Sequence, residues 1–259
     1  MDPLHLAAVA VAGLFAGTVN TIAGGGSLIG IAALIFAGLP ANAANATNRI
    51  GVFVQSGIAT WQFHRQGALR PRQALVLLLP TCLGALAGSL LSVDIDEQLF
   101  RRVIGVVMLV MLPVILLRPG RWLTRADDTE DDADNSAAKP GPGTWLKLVG
   151  FCLLGFYGGF LQAGVGIFLL AGLVLLAGQD LIRANAIKVL LVAVFTLPPL
   201  AVYIYNDLIA WAPGVMLALG SAVGGWLGTR MTLSWGPRFV RWVLLTVIAV
   251  SATRLLGLW

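Results

Sequence analysis

Ten apolar stretches alternate with short polar joints along this chain. By number they run 4–22, 27–39, 43–63, 73–93, 99–117, 145–162, 166–178, 184–205, 209–229 and 238–257. Most approach the roughly 20 residues that an α-helix needs to cross a bilayer. The second and seventh do not. Thirteen residues each reach about 20 Å as a helix, against a hydrocarbon core of about 30 Å. Each follows a glycine cluster, Gly24-Gly25-Gly26-Ser27 in one case and Gly164-Val165-Gly166 in the other. Short, glycine-interrupted segments at matching places in two halves are the sequence pointer to a transporter's binding site. The pattern predicts an all-α polytopic membrane protein with broken helices after glycine-rich turns.

Between the fifth and sixth stretches lies 118–144, with Asp127, Asp128, Glu130, Asp131, Asp132 and Asp134 close together and then Pro140-Gly141-Pro142-Gly143. Such a composition buries no core and reads as a flexible acidic linker. It divides the chain into a first transmembrane repeat, 1–117, and a second, 145–259, of about five segments each.

The halves align without a gap at an offset of 140 residues. Ala23-Gly24-x-Gly26 falls on Ala163-Gly164-x-Gly166, and Ala37-Gly38 on Ala177-Gly178. Ala44-Asn45-Ala46 falls on Ala184-Asn185-Ala186, and Gly84 and Gly88 on Gly224 and Gly228. The Ala-Asn-Ala match weighs most, because Asn is rare in apolar segments. An internal duplication follows.

Composition sharpens the class. Hydrophobic residues make up 58% of the 259 and charged ones 11%, less than half the share in soluble domains. Mean hydropathy is +0.87. These figures exclude a water-soluble enzyme or a nucleic-acid-binding domain, although the net charge is +5. The basic excess instead marks cytoplasmic loops. Arg65, Arg70 and Arg72 follow the third segment, which places that loop inside. Its counterpart, Asn206-Asp207-Leu208, has no positive residue and is placed outside. The two repeats are therefore expected to be inverted, with Arg101-Arg102 as an exception on the outer side. The N-terminal Met1-Asp2-Pro3-Leu4-His5 lacks a positive n-region and reads as the start of a first membrane segment. Cys82 and Cys152 lie in apolar runs without metal-ligand spacing and read as packing residues.

The glycine-rich Ala23–Ser27, the short stretch to Gly38-Leu39-Pro40, and Ala43-Ala44-Asn45-Ala46-Thr47-Asn48 resemble the first half of the sulfite exporter TauE/SafE family. Gly164-Val165-Gly166 and Ala184-Asn185-Ala186-Ile187-Lys188 resemble its second copy. The resemblance covers nearly the whole chain. It implies a multi-pass permease of the bacterial inner membrane for sulfite, organosulfonates or related small anions. The sparse second glycine cluster and the long acidic linker depart from the family pattern.

Arg49 and Lys188 lie inside long apolar segments, beside the two Ala-Asn-Ala motifs. A cation at a helix centre costs about 2.5–3.5 kcal/mol on insertion scales, so it faces a cavity or a partner. No Asp or Glu sits in the apolar interior to neutralise either, and an anionic cargo would. The alternatives are snorkelling to the interface, or capping of backbone carbonyls at a helix break. A helix restarting after Gly26 or Gly166 would aim free N–H groups and a positive dipole end at the bilayer centre. Close helix packing is the other use of such glycines. The candidate substrate-binding set is therefore Gly24, Gly25, Gly26, Ser27, Asn45, Asn48, Arg49, Gln162, Gly164, Gly166, Asn185 and Lys188. Pro198-Pro199, preceded by Thr196, is expected to break the eighth segment as a gate or a kink.

No nucleophile–base pair or metal cluster stands out, so neither catalysis nor a cofactor is expected. The expected partners are a small anionic substrate and the lipid bilayer, with no nucleic acid; a homodimer is left open. The reading is a secondary transporter for a small anion working by alternating access. An anion channel or uniporter-like facilitator is the alternative, and a membrane-embedded enzyme the more distant one.

Overall fold

The computed structural model describes residues 2–69, 71–93, 98 and 144–255. Among them all regular structure is helical: α1 (Pro3–Ile22), α2 (Ser27–Phe36), α3 (Ala41–Arg65), α4 (Pro71–Val93), α5 (Thr144–Phe160), α6 (Val165–Leu175), α7 (Leu181–Phe195), α8 (Leu197–Tyr205) and α9 (Trp211–Leu255). The fifth apolar stretch, 99–117, and the linker up to residue 143 lie outside the described residues.

Among the described residues, three spans are long and apolar enough to cross a bilayer: Pro3–Ile22, Ala74–Val93 and Leu181–Tyr205. The last joins α7 to α8. Thr196 between them keeps right-handed helical angles, so Pro198 and Pro199 interrupt the hydrogen-bond ladder without reversing the chain. α2 and α6, with 10 and 11 residues, are the short helices expected after the glycine clusters. The last two apolar stretches remain two helices within α9, separated at Gly236-Pro237, where Gly236 leaves the helical conformation with φ 71°. In the first part of α9 the Arg230 guanidinium stacks over the Trp226 ring, 4.7 Å from its centre.

The molecule is apolar outside and polar inside. On α4, Leu75, Leu79, Leu83, Leu86 and Leu90 are exposed, and on α9 Val215, Leu219 and Val223. These are spacings of three and four residues, one helix face each. Asn45, Asn48, Arg49, Gln162, Asn185 and Lys188 are buried instead. Only a lipid solvent makes that distribution favourable.

Small residues set the closest packing. α1 lies along α9, and α5 along α4. A Cβ on Gly84 or Gly88 would strike the backbone of Cys152 or Phe156, and one on Gly155 or Gly159 that of Thr81 or Ala85. Gly13 and Gly17 meet Leu217 and Ser221 in the same way. These pairs four residues apart let the helix backbones touch, as in membrane helix dimers.

The packing is reciprocal: α1 of the first half rests on α9 of the second, and α5 of the second on α4 of the first. Element boundaries also recur at the 140-residue offset: Ala41 and Leu181 begin helices, Arg65 and Tyr205 end them, and Pro71 and Trp211 begin the next. Positive φ angles recur too. Gly24 (87°), Gly38 (97°) and Gly67 (71°) are matched by Gly164 (71°), Gly178 (68°) and Asp207 (54°). Asp207 adopts the left-handed turn that glycine makes in the first half, a conformation Asp tolerates better than most residues.

Candidate functional site

α5 ends in mid-protein at Phe160, so its last carbonyls lack partners within the helix. α3 supplies them. Arg49 donates through Nη1 to Gly158 O at 3.0 Å and through Nη2 to Gly159 O at 2.5 Å. One turn earlier on α3, Asn45 Nδ2 donates to Phe160 O at 3.2 Å, and its Oδ1 accepts from Gln162 N at 3.2 Å. Arg49 also donates to Gln162 Oε1 at 2.6 Å and makes a longer, 3.4 Å contact to Tyr203 Oη. The guanidinium lies 4.8 Å from the Tyr203 ring centre. Tyr203 in turn donates to Gly159 O at 3.1 Å and bonds the Ser92 hydroxyl. A buried cation is thus held by carbonyls at the negative end of a broken helix.

The other half does the same with different chemistry. α1 ends at Ile22, and Lys188 Nζ donates to Asn20 O and Thr21 O, each at 3.0 Å. An ammonium has three donors, and these two bonds leave one.

Between the two helix ends lies a crevice lined by Asn20, Gln55, Ser56, Gln162, Val165, Gly166, Lys188, Val189 and Val192. Its empty volume is about 220 Å³, yet at no point does it admit a water-sized sphere. Among the described residues no carboxylate is in its lining. Gln55 Nε2 donates to Ser56 Oγ at 3.2 Å, which leaves the Ser56 proton to point elsewhere. Gln162 is fully buried, and its Nε2 has no partner. Val165 and Gly166 are the first residues of α6, where backbone N–H groups lack intrahelical acceptors.

The structure brings Gln162, Gly166 and Lys188 together at this crevice. Gly24 packs directly on Gly166, so that a Cβ on either would collide with the other's backbone; the two chain breaks therefore meet. Gly164 supplies the left-handed turn before α6. Gly26 packs on α1 beside Ala16 and Asn20. Gly25 and Ser27 are buried near the start of α2, away from the crevice lining. Asn48 is buried with its Nδ2 unpartnered, its Oδ1 beside Gly30. Arg49 and Asn45 face the end of α5 and do not line the crevice. Gln55 and Ser56 line it from α3. Tyr203 and Ser92 were not singled out from the sequence, because Tyr203 reads there as an interfacial aromatic near a segment end and Ser92 as a small residue in an apolar run.

Asn45 and Asn185 occupy equivalent positions but not equivalent environments. Both side-chain atoms of Asn185 are buried without partners, whereas both ends of the Asn45 amide are used. Removing satisfied buried hydrogen bonds costs about 1–3 kcal/mol. Asn45→Ala should therefore lower thermal stability clearly, and Asn185→Ala little or not at all. Equal losses in thermal unfolding of the two purified variants would contradict the hydrogen bonding described.

Comparison with known proteins fits this architecture. The chain matches the family described as Sulfite exporter TauE/SafE over residues 9–255. It is 30% identical over 252 residues to "Probable membrane transporter protein ORF9" of Sinorhizobium sp, covering 97% of this chain and 92% of that one. It is 30% identical over 257 residues to "Probable membrane transporter protein YfcA" of Escherichia coli (strain K12), covering 99% and 91%. A "Probable membrane transporter protein" of Haemophilus influenzae is 28% identical over 239 residues, covering 91% and 88%. No solved structure matches.

Proposed function

The chain belongs to the sulfite exporter TauE/SafE family of membrane transporters, and we propose that it carries a small oxyanion of sulfur, sulfite or an organosulfonate, across the bacterial inner membrane by alternating access. The carrying observation is the crevice between the two broken helices, with the Lys188 ammonium on one wall and, among the described residues, no carboxylate lining it. A cation buried in a membrane without a fixed counter-ion is a site for a mobile one.

Inversion of the two halves supports that cycle. The loops at 66–70 and 206–210 share a position and a positive-φ turn. Arg65 and Arg70 flank the first, and the second has no basic residue. The positive-inside bias assigns them to opposite faces. Equivalent loops on opposite faces make the halves inverted, with the binding site at their interface.

Two measurements on one reconstituted preparation test the reading. Flux of sulfite into vesicles should saturate with concentration. A cysteine introduced at position 207 should react with an impermeant reagent from outside, and one at position 68 should not. Flux that rises linearly without limit would favour the channel, and external labelling at 68 would remove the inversion.

A further inference from the structure

Gln162 occupies an unusual position, and the hydrogen bonds around it fix more than its place. Its Oε1 accepts from Arg49 Nη1 at 2.6 Å. A guanidinium carries donors only, so it selects the oxygen end of an amide and turns the nitrogen end away. That nitrogen, Nε2, is buried and unpartnered, and the residue lines the crevice. Gln162 N is also tied to Asn45 Oδ1, so backbone and side chain are both held.

We infer that Gln162 is a specificity-determining residue whose amide is polarised by Arg49 so that the crevice offers it as a donor only. The inference rests on the transport reading above and deepens it. Arg49 itself does not touch the substrate; it is a positioning residue, fixing from behind which end of the amide faces the cargo. Lys188 adds the N–H left over from its two carbonyl bonds, and the first turn of α6, beginning at Val165-Gly166, adds backbone donors. Donors that converge from separate elements match an anion with several acceptor oxygens and no proton of its own, an ionised sulfonate or the sulfite dianion. A halide, with one acceptor centre, satisfies fewer of them. A neutral ligand that must donate meets only donors at these three elements. The chain therefore discriminates by counting acceptors, and charge alone does not set the preference.

The test uses Gln162→Glu and Gln162→Met in the full-length protein, with sulfite, methanesulfonate and chloride as probes. In Gln162→Glu the carboxylate keeps the contact to Arg49 as an ion pair, so the fold is retained while the donor is lost. Affinity for the two oxyanions, read from ligand-induced thermal shifts, should fall about tenfold or more, the scale of a lost hydrogen bond to a charged group. In Gln162→Met, which adds no charge, the ratio of oxyanion to chloride affinity should fall by a similar factor. A purely structural role would weaken all three probes together, and an unchanged ratio in Gln162→Met overturns the inference. So does wild-type oxyanion affinity in a stable Gln162→Glu. If the wild-type protein responds to no anion, the transport reading falls and the inference with it. If wild type binds, Lys188→Met does not, and Gln162→Met keeps the wild-type ratio, only the inference fails.

Discussion

Lys188→Met is expected to abolish anion-induced stabilisation and sulfite flux while leaving the ligand-free protein nearly as stable as wild type. Two effects oppose each other in the empty protein. The variant loses two charge-assisted bonds, to Asn20 O and Thr21 O, each worth about 1.5–3 kcal/mol. It also sheds a desolvated ammonium, whose burial costs several kcal/mol. An ammonium is strongly hydrated in water, so the second effect is large enough to cancel most of the first. With an anion present nothing cancels: the one fixed charge that the described residues place in the crevice lining is gone. Affinity should drop by about a hundredfold, since the contact is both charged and water-excluded. Lys188→Arg should keep part of the binding, because charge survives and geometry does not. Thermal unfolding with and without sulfite reads both quantities. A stable Lys188→Met protein that still responds to sulfite at wild-type concentrations would move the site elsewhere.

The two intramembrane cations were legible as outliers, because a charge inside an apolar stretch is conspicuous at any resolution of reading. Their duties were not. From the sequence, Arg49 and Lys188 stand side by side as two walls of one anion site. In the structure each reaches across more than a hundred residues to cap the end of a helix in the opposite half, and only Lys188 also lines the crevice. Hydropathy and spacing report depth in the membrane; they do not report which carbonyl a side chain will find. The same limit separates Asn45 from Asn185, identical in motif and opposite in hydrogen bonding. Glycine positions repeat at the 140-residue offset in the sequence, and the positive-φ turns at Gly24 and Gly164 repeat with them. Asp207 hid one such turn, since nothing in an Asn-Asp-Leu loop announces that it copies the Gly67 conformation. The separation of the last two apolar stretches was legible, since the non-helical Gly236, just before Pro237, breaks α9 between them.

Arg49→Met carries the opposite expectation from Lys188→Met, although both delete a buried cation. Sequence reasoning alone expects both Met variants to fold and the empty proteins to be, if anything, more stable. For Arg49 the structure reverses that expectation. Its guanidinium is spent on Gly158 O, Gly159 O and Gln162 Oε1. A guanidinium is more weakly hydrated than an ammonium, so removing it recovers less desolvation energy. Three acceptors then lose their donor in a place that water does not reach. Tyr203 still serves Gly159 O, but among the described residues Arg49 is the side-chain donor to Gly158 O and Gln162 Oε1. At about 1–1.5 kcal/mol for each of these two orphaned acceptors, Arg49→Met should destabilise the protein by about 2–3 kcal/mol. Arg49→Lys should recover part of this, since one ammonium can reach some of the acceptors but lacks the planar fork that serves all three. Unfolding of the purified variants in detergent, compared at equal protein concentration, gives the ordering. Wild-type stability in Arg49→Met would mean that the end of α5 does not depend on this cap. The amide of Gln162 would then be free to turn, and its fixed donor polarity would lose its cause.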